Sequence, residues 1–276
     1  MNKITDDNTE ILMAWRGGGV DNDDTSESSI ELVWDFKDDD YIKIKNCDKK
    51  IVGKSDLTFL FNDLINNGIE CFYGPNFESN FIENSEFIKE EIEYMLKAFF
   101  ETEFLLNFDQ EKRGKHSEIW TFSSGKSEGR IIGGNLDTIY TAMEKYPEAV
   151  PKRLEGDIIF LEERKTEYWV VSEEKVQGNT RYKLNVLKQN GFFDKINGIV
   201  FGKSEMPTQH IFMKGEADCY KEEKDFLYKI LKELDLLKVP VIANVPCSHS
   251  HPMVTIPLGR TITLDADKKI IKVHKN

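Results

Sequence analysis

No stretch of the sequence approaches the roughly 20 consecutive apolar residues needed to cross a bilayer. The opening Met1-Asn2-Lys3-Ile4-Thr5-Asp6-Asp7-Asn8 has no apolar core of a signal peptide, so a cytoplasmic setting is expected. Cysteine is scarce. Cys47, Cys71, Cys219 and Cys247 stand far apart with no Cys-x-x-Cys pair, which argues against a disulfide framework and a zinc knuckle. Positive charge is in deficit, with 37 Lys and Arg against 49 Asp and Glu for a net charge of −12. That balance repels nucleic acid and anionic lipid, and no basic run interleaved with aromatics reverses it locally. What the chain does have is core material. Its 276 residues include 18 Phe, 9 Tyr and 4 Trp, enough for one large domain or two of ordinary size, and incompatible with wholesale disorder.

Short apolar runs alternate with amphipathic stretches, the order of an α/β protein. Thr9 to Trp15 reads as a buried strand feeding the glycine loop Arg16-Gly17-Gly18-Gly19. Asp21 to Ser29 and Asp38-Asp39-Asp40 read as an acidic, solvated excursion around a short helix at Ile30 to Phe36. A strand at Lys50 to Gly53, a helix from Asp56 to Ile65 and a strand at Ile69 to Tyr73 follow. A long helix over Ser85 to Phe104 places Ile88, Ile92, Met95, Leu96, Phe99 and Phe100 on one face. Asn107 to Ser117, charged and containing Gly114, is the best linker, dividing a domain over 1–110 from one over 111–276. Beyond it, strands are expected at Ile119 to Phe122, Arg130 to Ile132, Asp157 to Leu161, Gly198 to Phe201 and Val239 to Asn244. Helices are expected from Leu136 and over Asp225 to Leu237. Thr255 to Pro257, Arg260 to Leu264 and Ile270 to Val273 close the chain as an antiparallel meander.

Three segments carry chemistry. In Gly53-Lys54-Ser55-Asp56-Leu57-Thr58 a serine stands where a strand stops and a helix begins, with helix N–H groups behind it that can hold an oxyanion. Serine is equally a common N-cap. Leu57 stands where the Gly-x-Ser-x-Gly elbow requires a second glycine. Ile158 to Leu161 ends at Glu162-Glu163, two carboxylates at the carboxyl end of a strand, where open sheets gather site residues. Cys247-Ser248-His249-Ser250-His251-Pro252-Met253 holds two of the five histidines. Cys247, His249 and His251 would share one face of an extended chain and suit a zinc ion; alternatively, one histidine is a general base for a serine.

Together these segments resemble one family, the serine peptidases that include the L,D-carboxypeptidases and the microcin C immunity peptidases. Gly53 to Thr58 is similar to its nucleophile segment, Arg16-Gly17-Gly18 to its glycine loop, and Tyr73-Gly74-Pro75 follows in place. Gly129 to Thr138, Gly156 to Glu163, and Asn190 to Ile196 with Gly198 to Lys203 continue the likeness. Cys247 to Gly259 is closer to the immunity branch. The resemblance implies a reduced flavodoxin-like or Rossmann-like N-terminal domain and a C-terminal α/β domain with a mixed sheet. It also implies a homodimer acting without cofactor or metal on a small peptide or peptidyl-nucleotide. Ser55 would be the nucleophile, Glu162, rather than Glu163, the orienting carboxylate and His249 the base. The oxyanion would lie between the Asp56 N–H and the Gly17-Gly18 loop, with substrate contacts from Arg16, Lys54, Asn135 and His251. The nucleophile and its partners then belong to different domains, so the site forms where the domains meet.

The chain also departs from the pattern. The resemblance leads to an expectation of further strand-helix units before the glycine loop, without which a sheet edge would be exposed and need covering. Lys54 replaces the usual aromatic residue beside the nucleophile, and Lys165 to Arg181 is a long excursion. The competing reading is a catalytically silent, truncated relative that binds or regulates.

Overall fold

Continuous apolar runs become strands covered on both faces, and the amphipathic stretches between them become helices. The computed structural model describes residues 10–15, 36–47, 49–83, 85–106, 108, 118–163, 180–204 and 215–275. The first part runs β1 (Ile11–Met13), α1 (Asp38–Asn46), β2 (Lys50–Gly53), a 3₁₀ turn at Ser55–Leu57, α2 (Thr58–Asn66) and β3 (Cys71–Tyr73). A π-helical turn at Phe77–Ile82, α3 (Ile88–Phe100), β4 (Phe104–Leu106), β5 (Trp120–Ser123), β6 (Lys126–Asn135) and α4 (Leu136–Lys145) come next. Then follow β7 (Ile158–Glu162), α5 (Thr180–Gln189), β8 (Gly198–Gly202), α6 (Glu216–Glu233) and β9 (Val241–Val245). The chain closes with β10 (Ile256–Leu258), β11 (Thr261–Asp265) and β12 (Ile270–Val273).

These strands form two mixed sheets, as expected of the α/β class. The smaller has the order β1-β2-β3-β10, with β1 to β3 parallel and β10 antiparallel to β3. The larger has the order β4-β12-β11-β6-β7-β8-β9-β5, parallel from β6 to β9 and antiparallel at both flanks. Residues Ile158 to Leu161 of β7 and Val241 to Ala243 of β9 have no exposed surface, which explains their unbroken hydrophobicity. No helix among the described residues is long and apolar enough to cross a membrane.

Several sequence expectations change. Thr9 to Trp15 is not a buried strand: β1 is three residues at the sheet edge, and Ile11 is exposed. Asp38-Asp39-Asp40 is not an excursion but the first turn of α1, where acidic groups face the positive end of the helix dipole and Asp40 accepts the Lys37 N–H. On α3 the buried stripe is Glu91, Met95, Ala98 and Phe99, whereas Leu96 and Phe100 are exposed. Helix α5 escaped the sequence reading because two of its four buried positions, Thr180 and Lys183, are polar. Helix α6 begins nine residues before the expected Asp225. The Thr255 to Pro257 strand leaves the closing meander and joins β3 in the smaller sheet, as an edge strand that tolerates Pro257. The glycine loop at 16–19, the 21–35 stretch, and all but Phe108 of the 107–117 linker lie outside the described residues, as does 165–179 of the long excursion.

Two of the contacts that bring the sheets together flank the candidate site. Tyr73, at the end of β3, packs edge-on against Phe160 of β7 with ring centroids 5.1 Å apart. Thr58, at the start of α2, lies against Gly134 near the end of β6, and its Oγ1 accepts the Asn135 N–H at 3.0 Å. Gly134 has φ +146, and a Cβ there would stand 2.6 Å from Thr58 Oγ1 and 2.7 Å from Thr58 Cγ2. Gly134→Ala is therefore predicted to destabilise the fold by about 2 kcal/mol or more in urea unfolding. A loss within about 0.5 kcal/mol, the range of ordinary surface substitutions, would contradict this packing account.

Candidate active site

Ser55 is separated from β2 by Lys54 alone and opens the 3₁₀ turn with φ 61, a left-handed conformation that costs a non-glycine residue about 1–3 kcal/mol. The Ser55 N–H donates to the Tyr73 hydroxyl at 2.9 Å. That hydroxyl in turn donates to Glu162 Oε1. Burial, and after it the charge of Glu162, push the Tyr73 phenol well above its ordinary value, so the ring keeps its proton and serves as the donor. A single buried tyrosine thus joins the nucleophile turn of one sheet to the carboxylate of the other.

Glu162 is fully enclosed and accepts from four groups. Tyr73 and the Asn135 side-chain amide, at 2.8 Å, bind Oε1. The Ser248 hydroxyl at 2.5 Å and His249 Nδ1 at 2.9 Å bind Oε2. Four donors match the four lone-pair directions of a carboxylate. Burial alone would raise the pKa of Glu162. The charge of His249 and the hydrogen bonds from His249, Ser248 and Tyr73 outweigh it and bring the pKa down to about 2. Because a carboxylate only accepts, His249 Nδ1 carries the proton and the neutral ring keeps its lone pair on Nε2, the tautomer a general base requires.

Adjacent carboxylates have opposite fates because side chains alternate along a strand. Glu163 turns to the other face, where it accepts from Thr180 Oγ1 at 2.5 Å and Lys183 Nζ at 2.7 Å of α5. Burial pushes it up to about 7 against the pull of Lys183.

The remaining expected site residues divide into groups. Asn135, expected to touch substrate, is buried, and its amide is engaged at both ends: Nδ2 binds Glu162, while Oδ1 caps α4 by accepting the Thr138 N–H at 3.0 Å. Asp56 lies buried in the turn after Ser55. Lys54 and His251 meet in a second network through Asn80 and Glu91. Arg16, Gly17 and Gly18 lie outside the described residues. Cys247, His249 and His251 do not converge on one point, as a shared zinc would need. The Cys247 thiol bonds the Val245 carbonyl, whereas the two imidazoles bind different carboxylates.

Tyr73, Ser248, Asn80 and Glu91 acquired no role from the sequence. A tyrosine at the end of a buried strand needs a partner for its hydroxyl, and a glutamate within the apolar stripe of α3 is equally conspicuous. Gly202 had a signal only in three dimensions: a Cβ there would meet Glu162 Cβ at 2.7 Å and Ser248 Cβ at 2.9 Å.

The low pKa of Glu162 makes a prediction about stability. Its ionised form contributes fully above its ordinary value of 4.5, and that contribution is lost as the pH falls toward about 2. Wild type should exceed Glu162→Gln in unfolding free energy by on the order of 3 kcal/mol at neutral pH, with the gap closing below about pH 4. A gap that urea titrations find independent of pH would contradict the assignment.

Comparison with known proteins agrees with this architecture. The profile of the LD-carboxypeptidase C-terminal domain matches residues 128–264. The microcin C7 self-immunity protein MccF of Escherichia coli is 29% identical over 255 residues, covering 85% of this chain and 68% of that protein. A putative carboxypeptidase of Vibrio cholerae is 26% identical over a 290-residue alignment, covering 98% of this chain and 77% of its own. A solved structure of MccF in complex with glutamyl sulfamoyl guanosine superposes with a TM-score of 0.76 at 25% identity, over 100% of this chain and 79% of the other. These findings support the LD-carboxypeptidase family, with residues 128–264 matching its C-terminal domain and the chain as a whole similar to the microcin C7 self-immunity protein.

Proposed function

We propose that the protein is a serine peptidase that hydrolyses a small peptide-like amide, with Ser55 as nucleophile, His249 as base and Glu162 as the orienting carboxylate. The observation that carries this reading is the chain of contacts from the left-handed Ser55 through Tyr73 to Glu162 and on to His249. In the reaction, Ser55 Oγ bonds to the amide carbonyl carbon as its proton passes to His249 Nε2. Collapse of the tetrahedral intermediate breaks the C–N bond, and the same proton goes to the leaving amine; water then releases the acyl group by the reverse route. Glu162 stabilises the imidazolium formed in between. The oxyanion is received by the Asp56 N–H and by an N–H of the Gly17-Gly18 loop, one such donor being worth about 3 kcal/mol of barrier.

The favoured substrate is an aminoacyl- or peptidyl-nucleotide. The Cys247 to Gly259 segment supports this choice, as does the aminoacyl sulfamoyl nucleoside bound in the MccF structure. A murein L,D bond is the second candidate. In this reading the enzyme works in the cytoplasm as a homodimer, with its nucleophile in an N-terminal unit over 1–110 and its base in a unit over 111–276.

The test is hydrolysis, followed by mass spectrometry, of an aspartyl sulfamoyl adenosine and of a murein tetrapeptide ending in D-alanine. Wild type is expected to cleave the first, and Ser55→Ala and His249→Ala to lose at least about 10³-fold in rate. Cleavage of neither substrate by folded wild-type protein would favour a silent relative.

A further inference from the structure

A second carboxylate–imidazole pair lies buried beside the first. Glu91 of α3 has no exposed surface, and its Oε1 accepts from His251 Nδ1 and from the Met253 N–H, both at 2.9 Å. Its Oε2 accepts from Asn80 Nδ2 at 2.8 Å. Asn80, also fully buried, accepts at Oδ1 from Lys54 Nζ at 2.9 Å, from the Asn76 N–H at 3.1 Å and from the Ser79 hydroxyl at 3.0 Å. Those three donors fix which way the amide faces. Asn76 Oδ1 meanwhile accepts the Lys54 N–H at 3.1 Å. The His251 ring lies parallel to Phe87, within 10°.

The charges explain the arrangement. Lys54 is only 2% exposed, and an ammonium so buried requires a counter-charge. Its Nζ is linked to the Glu91 carboxylate through the single amide of Asn80. Two segments that the proposed chemistry needs therefore converge on one carboxylate: the turn carrying Ser55, through Lys54, and the loop carrying His249, through His251 and Met253.

We propose that Glu91 is a positioning residue for hydrolysis, holding the Ser55 turn through Asn80 and Lys54 and the His249 loop through His251. This inference rests on the serine peptidase reading above. Glu91 acts only through these neighbours, so its loss should lower turnover rather than substrate affinity.

A reciprocal exchange tests it. Glu91→Gln keeps Oε1 for His251 and Met253 but turns an amide nitrogen toward Asn80 Nδ2, setting donor against donor. Asn80→Asp sets two carboxylates face to face. In the double variant, the carboxylate introduced at position 80 accepts from Lys54, Asn76, Ser79 and the new amide at position 91, so every hydrogen bond re-forms with the polarity of one link reversed. Two quantities are measured below the melting temperature of each variant: the rate at which a fluorophosphonate labels Ser55, and kcat and KM for the cleaved substrate. Each single variant should lose roughly 10- to 100-fold in labelling and kcat with little change in KM, the scale of a nucleophile displaced by about 1 Å. The double variant should recover most of that loss. Folded single variants that label at the wild-type rate would overturn the proposal, as would a folded double variant no faster than the singles. If the single variants fail to fold, the double variant decides alone: folded and active supports the proposal, unfolded or inactive overturns it. Failure of the wild-type protein to label at Ser55 would instead overturn the serine reading, and this inference with it.

Discussion

Everything at the candidate site depends on one buried carboxylate. An ionised glutamate withdrawn from water costs several kcal/mol unless each of its lone pairs is met. Glu162 is met by Tyr73 from the end of β3, Asn135 from the end of β6, and Ser248 and His249 from the loop after β9. No single local element could provide all four. The requirement fixes the relation between the two sheets, because Tyr73 belongs to one and Glu162 to the other. Side chains that would obstruct the arrangement are missing where it is tightest, at Gly202 and Gly134.

The loop after β9 is held from two sides. His249 is bound by a carboxylate from the larger sheet, and His251, two residues on, by a carboxylate from a helix that packs on the smaller one. Strand β10 then leaves this loop to pair with β3, so the segment carrying the base is anchored within a few residues of the tyrosine that contacts the nucleophile. The smaller sheet thereby draws its fourth strand from near the C-terminus.

Local patterns made much of this legible in the sequence. Strands β2, β3 and β7 to β9 are apolar runs bounded by turn residues, whereas of the ten-residue β6 only Arg130 to Ile132 was visible. The two-residue period of β7 is also what separates Glu162 from Glu163, although the choice between them came from family resemblance. What stayed hidden depends on long-range pairing. Helix α5 looked polar because the partners that allow Thr180 and Lys183 to be buried are distant in sequence: Glu163, 17 and 20 residues earlier, and for Lys183 also Asp137. Glu91 interrupted an apolar stripe, yet its partners lie up to 162 residues away. Lys54 looked like a substrate contact because nothing nearby in sequence reveals the Asn80 that receives it. The partner of β10 was misread for the same reason: three apolar residues carry no information about which sheet they will join.

The most direct measurement is the rate of fluorophosphonate labelling at Ser55 in Glu162→Gln against wild type, at a pH where both are folded. The substitution preserves size but replaces the all-accepting carboxylate with an amide that favours the wrong tautomer of His249. The account predicts labelling at Ser55 in wild type and a fall of about 10³- to 10⁴-fold in the variant, the scale seen when a triad carboxylate becomes an amide. Labelling of the folded variant at the wild-type rate would contradict it.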